Sequence, residues 1–172
     1  VTVAASNWYS NTMDAANTQG VGIAKIPYYD NLMVLWSISF QPTNDSVVLT
    51  FNNDSLNTPC WWRLLSAGAG VSTLSNTQQV SNTDLGVRLI GTTSVNQTMS
   101  GVVLINNVEN ANGERTMTIN SVSSNVSGGT YISTGSGARK GVGQPIYSIS
   151  LRGTNQNTVS SARLSVFGSN IK

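Results

Sequence analysis

Seven carboxylates, one cysteine and no histidine are the groups on which acid–base, nucleophilic or metal chemistry would have to rest in this chain of 172 residues. Without histidine the usual proton shuttle near neutral pH is absent, and so is the commonest metal ligand. Ser-His-Asp and Cys-His arrangements cannot be built. A single cysteine cannot make a zinc site alone. Cys60 has no partner for an intrachain disulfide. It stands beside Trp61 with no adjacent cation to lower its pKa, so it reads as a small apolar residue. Paired carboxylates are the arrangement that remains, drawn from Asp14, Asp30, Asp45, Asp54, Asp84, Glu109 and Glu114. Glycoside hydrolysis needs two of them across one cleft. Asp45 and Asp54 flank one strand-like run and would lie about 30 Å apart at about 3.3 Å per residue. No phosphate-cradling glycine motif precedes a helix. The chain is therefore expected to be no enzyme, with no catalytic residue, no cofactor and no metal. A calcium site at Asn52, Asn53, Asp54 and Ser55 is the nearest exception, since calcium takes several oxygens. The same residues at a strand end more simply bond backbone and tolerate left-handed conformations.

Charge narrows the partners. Only 9% of residues are charged and the net charge is +2. Arg139 and Lys140 are adjacent, but no basic run exists, so nucleic acid is not an expected partner. No apolar run reaches the roughly 18 residues of a membrane-spanning helix, and no membrane insertion is expected. The start at Val1 without a signal peptide reads as a domain cut from a longer chain, or a processed product.

The elements that must position any binding residue follow a period of two. Leu32, Val34, Trp36, Ile38 and Phe40 share one face of a run. Val47, Leu49 and Phe51 do the same, as do Met117 with Ile119, Tyr147 with Ile149 and Leu151, and Leu164 with Val166. Alternation of this kind makes half-buried antiparallel strands. Val87 to Ile90 and Val102 to Ile105 are more continuously apolar and read as central strands covered on both sides. Pro42 to Asp45 reads as a hairpin turn, Asn110 to Gly113 as another, and Asn155 to Asn157 as the turn into the last strand. Gly128 to Gln144 is rich in glycine and serine and reads as a long exposed loop cut first by trypsin after Arg139 or Lys140. With no amphipathic helix, the pattern predicts an all-β fold. It is one antiparallel β-sandwich or jelly roll of about ten strands, spanning residues 1–172 as one domain.

Aromatic pairs are the richest contact candidates. In a strand one member of each pair faces inward and the other outward. Trp61 with Trp62, and Tyr28 with Tyr29, are thus candidate surface contacts, with Trp8 and Tyr9 posing the same question. Arg139 and Lys140 join them as cations for an acidic partner. Outward apolar residues such as Val48 and Met33 are expected at contacts between copies. Four N-x-[ST] sequons, at Asn44, Asn53, Asn96 and Asn125, fit chance in a chain so rich in Asn, Ser and Thr.

Two stretches carry a resemblance. Ile26 to Leu32 followed by Asp45 to Asp54 forms a strand, a polar turn and a strand ending Phe51-Asn52-Asn53-Asp54. Pro145 to Leu151 followed by Leu164 to Ser169 forms a closing strand pair. Both resemble the C-terminal protruding (projection) domains of small RNA virus capsid proteins, such as that of Lake Sinai virus, and in pattern the tail β-sandwich domains of bacteriophages. The tyrosine that often follows the Phe-Asn-x-Asp element is missing, and Cys60, Trp61 and Trp62 stand in that region. The resemblance implies a structural protein on the virion surface. Its partners would be copies of itself on a particle and a host receptor or glycan. Three other readings stay open: a phage tail or fibre domain that binds a receptor, a carbohydrate-binding module of a secreted enzyme, and a hydrolase with two close carboxylates.

Overall fold

Strand after strand follows from side chains that alternate between a buried and an open face. The computed structural model describes residues 9–16, 18–40, 46–52, 60–68, 75–81, 86–90, 96–108, 113–125, 129–140, 144–153 and 158–170. Twelve strands occupy them: β1 (Tyr9–Ala15), β2 (Gly20–Ala24), β3 (Asn31–Phe40), β4 (Val47–Phe51), β5 (Cys60–Gly68), β6 (Ser75–Ser81), β7 (Val87–Arg88), β8 (Asn96–Asn106), β9 (Glu114–Asn125), β10 (Thr130–Lys140), β11 (Ser148–Gly153) and β12 (Val159–Ser169). In β3, Leu32, Val34, Trp36, Ile38 and Phe40 are buried and the residues between them are not. β12 repeats the pattern with Ala162, Leu164 and Val166.

The strands form two antiparallel sheets facing each other as a β-sandwich. One has eight strands in the order β1-β12-β3-β8-β9-β10-β5-β6, and the other has four in the order β2-β11-β4-β7. The core between them gathers Ile23, Leu49, Phe51, Ile149 and Leu151 from the small sheet. Trp36, Trp62, Leu64, Val103, Ile119 and Leu164 come from the large one. Large side chains lost from such an interior leave cavities that the surroundings fill only in part.

Five expectations need correction. Gly128 to Gln144 is for the most part β10, a strand paired on both sides, with β9 and with β5. Its inward positions Ser133, Gly135 and Gly137 are small, so no apolar period announces it. A Cβ on Gly137 would sit 2.8 Å from Val87 Cγ1, and the bare backbone lets β7 approach there. β3 lies in the large sheet and β4 in the small one, so the two do not pair as a hairpin, and Pro42 to Asp45 itself lies outside the described residues. Tyr147 is 40% exposed rather than core, since it precedes β11 in a turn where Asn52 Oδ1 accepts its backbone N–H at 2.9 Å. Val48 is buried and not an outward contact, because β4 is enclosed between β11 and β7 and all five of its residues are covered. β7 is an edge strand, and β8 is covered on one side only: Val103 and Ile105 point inward while Leu104 is exposed.

Candidate interaction surfaces

The sequence-derived contact residues do not assemble into one patch. Tyr28, in the connection between β2 and β3, is 63% exposed. Tyr29 turns the other way, packing on the core, and its ring covers Gly168 of β12 where a Cβ would clash. Trp61 is half-buried on the outer face of β5. Trp62 is buried, with the Arg88 guanidinium 5.2 Å from its ring centroid, a cation over an aromatic face. Asn31, Asn106, Thr116, Ala138 and Trp61 share one cross-strand row. Trp61 therefore stands four strand spacings from Asn31, roughly 19 Å at about 4.8 Å each. The two aromatic pairs thus present one exposed ring, Tyr28, and no planar row of rings. Trp8 lies outside the described residues, as do the side chains of Tyr9, Cys60 and Lys140.

Arg139 is not a surface cation. It is 4% exposed, with its guanidinium 5.4 Å from the Phe51 ring centroid. Its register partner is Arg115, 1% exposed, whose Nη2 donates to the carbonyl of Gln144 while its Nε finds no acceptor among the described residues. Two buried guanidinium groups thus lie on adjacent strands. Burial, then the neighbouring charge of Arg139, pushes the Arg115 pKa below its ordinary value.

Asn52 is the one described residue of its segment. It adopts a left-handed conformation with φ 56°. Its Oδ1 accepts from the N–H groups of Tyr147 and Ser148 at 2.9 and 3.2 Å, and its Nδ2 donates to the Pro145 carbonyl at 2.8 Å. The amide is occupied in fastening β4 to the start of β11, as expected of Asn at a strand-to-turn junction. Asn53, Asp54 and Ser55 lie outside the described residues, as do Asp45, Asp84 and Glu109. Among the described residues no three Cys, Asp or Glu side chains cluster. Asp14 and Arg163 pair at 2.9 Å, both more than half exposed, a geometry that contributes little.

A further surface, of which the sequence reading named Met33 alone, is the outer face of the eight-stranded sheet. A trough of about 920 Å³ runs across it from β1 to β10, with Leu35, Val102, Val122 and Ile132 as its apolar lining and Ser37, Ser100, Asn120 and Ser165 as polar neighbours. Beside it Leu104 is 44% exposed. Hydroxyl and amide groups tie neighbouring strands on this face, as in Thr12–Ser165 at 2.8 Å and Thr134–Asn120 at 2.7 Å. The signal was present in Leu35 and Leu104, apolar residues at positions where alternation calls for polar ones.

No family model matches the chain, and no curated protein matches it. Among solved structures it is similar to the exo-inulinase of Aspergillus awamori, at 10% identity and a TM-score of 0.41, covering 94% of this chain and 29% of that one. It is also similar to the infectious bursal disease virus Gx strain (16% identity, TM-score 0.17, 96% of this chain and 41% of that one). A third is the VP2 subviral particle of the same virus (13% identity, TM-score 0.16, 95% and 42%). The chain spans under half the length of each of these proteins. The likenesses concern chain path alone and carry no argument about function.

Proposed function

We propose that this chain is a projecting surface domain of a viral particle, acting by contact with copies of itself and with a host molecule rather than by catalysis. The observation that carries the reading is the outer face of the large sheet, broad, open and partly apolar, on a chain with no histidine. An exposed apolar patch of this kind marks an interaction site more often than a catalytic one. The resemblance of Ile26 to Asp54 and Pro145 to Ser169 to capsid projections supplies the particle. Within the fold those stretches contribute one strand pair to each sheet, β3 with β12 in the large one and β4 with β11 in the small one. Tyr28 is the exposed aromatic best placed to meet a receptor or glycan.

The test is a shell assembled from the parent chain with this domain deleted. Loss of surface projections and of attachment to host cells is expected. Shells that keep the wild-type contour and attach equally well overturn the proposal. Tyr28→Ala in the intact particle is expected to weaken attachment while leaving the thermal midpoint of the domain unchanged.

A further inference from the structure

We infer that the outer face of the eight-stranded sheet is a self-association surface, on which a second copy of this chain packs face to face about a two-fold axis. The register defines three adjacent cross-strand rows. One runs Asp14, Arg163, Ser37, Ser100, Val122, Ile132 and Ala67. The next runs Thr12, Ser165, Leu35, Val102, Asn120, Thr134 and Leu65, and the third passes through Phe167, Met33, Leu104, Thr118, Ser136 and Arg63. Most apolar members form a continuous diagonal band, Phe167, Met33 and Leu104, then Leu35 and Val102, then Val122 and Ile132, with Leu65 and Ala67 of β5 beside its last residue. Val102 and Asn120, on the two central strands, mark its middle.

Size and charge both point to a copy of the same surface. Seven strands, each about 4.8 Å wide, and three rows, each taking about 6.8 Å of strand length, give a footprint of roughly 700 Å². A stable interface buries about 800 Å² on each partner. Charge in the three rows is confined to the flanks. Asp14 and Arg163 neutralise each other, and Arg63 donates from Nε to Asn76 Oδ1 at 3.2 Å. The centre is therefore neutral, and the partner that buries it without stranding an ion must be neutral and partly apolar as well. A second copy meets that condition, because an isologous contact sets the apolar centre on itself. Two sheets stacked in this way lie about 10 Å apart.

The inference rests on the particle reading only for the high local concentration that a shell provides. It is measured without a particle. Sedimentation equilibrium of the chain from about 10 µM to about 1 mM covers the range of weak interfaces. A monomer–dimer equilibrium is expected. Val122→Lys with Ile132→Lys is expected to weaken it about ten-fold or more, by burying charge at one end of the apolar band. Tyr28→Lys, on another surface, is expected to leave it unchanged. If the lysines impair folding, judged by circular dichroism, Val122→Thr with Ile132→Ser makes the same comparison. A chain that stays monomeric at about 1 mM overturns the inference, as does a trimer as the smallest assembly, or association that the variants in the apolar band leave intact. Dimers through this face together with shells indifferent to the deletion would refute the particle reading alone.

Discussion

Arg115 is the residue whose surroundings fit it least. It sits buried in register with the buried Arg139, and its charge is disfavoured first by burial and then by that neighbour. Arg115→Met removes this cost, and the exposed Gln144 can give its carbonyl to water. The variant is expected to be more stable by about 1 kcal/mol in chemical denaturation. The sign with pH follows from the lowered pKa. The cost is fully present while both folded and unfolded states are protonated, and it fades as pH rises through the lowered folded value. The advantage of the variant should therefore hold through neutral pH and shrink only under strongly alkaline conditions. Asn52 is the opposite case, since every polar atom of its side chain is used. Asn52→Ala loses three hydrogen bonds and a residue type that tolerates positive φ, and is expected to cost about 2–4 kcal/mol. Its role was legible in the sequence as Asn at a strand end. The identity of its partners was not, because they lie about a hundred positions away in the chain.

Among the elements, β10 shows where pattern reading stops. A strand is recognised by large apolar residues at alternate positions. Here three successive inward positions, Ser133, Gly135 and Gly137, are small, and β7 lies close over the last of them. Ser133 meets Ser66 by a hydroxyl pair at 2.7 Å instead of by an aliphatic contact. The one large aliphatic of the strand, Ile132, points outward. β3, and the middle of β12, whose inner faces meet a continuous apolar core, were legible by contrast. Trypsin is expected to spare Arg139, locked between two strands, and to cut sooner after Lys25, which is exposed in a connection. Early cleavage after Arg139 would show that β10 opens. Gly137→Leu is expected to destabilise the fold by about 1–3 kcal/mol by pushing β7 away.

At the scale of the molecule, eight strands face four. The alternating pattern made a sandwich legible, but not which strand joins which sheet. That assignment depends on pairings between distant segments, and nothing local distinguishes Pro42 to Asp45 from a hairpin turn. The contact residues fared similarly: pairs of aromatics announced that one ring of two would be open, and packing left Tyr28 exposed but Trp61 half-buried. Sparse charge makes the whole fold indifferent to conditions that unsettle others. With no histidine, no side chain has an unperturbed pKa between about pH 5 and 8. The thermal midpoint is expected to be flat over that interval, as differential scanning calorimetry would show.

The place of β12 bears on synthesis. It lies between β1 and β3, pairing Tyr9 to Ala15 on one side and Asn31 to Phe40 on the other. Ribosomes release the two early strands long before the segment that joins them. Until residues 159–169 have emerged from the exit tunnel, the first strand has no partner in its sheet and the third has an open edge. A nascent chain stalled before that segment must therefore wait unfinished, with unpaired backbone groups available to chaperones or to neighbouring polysomes.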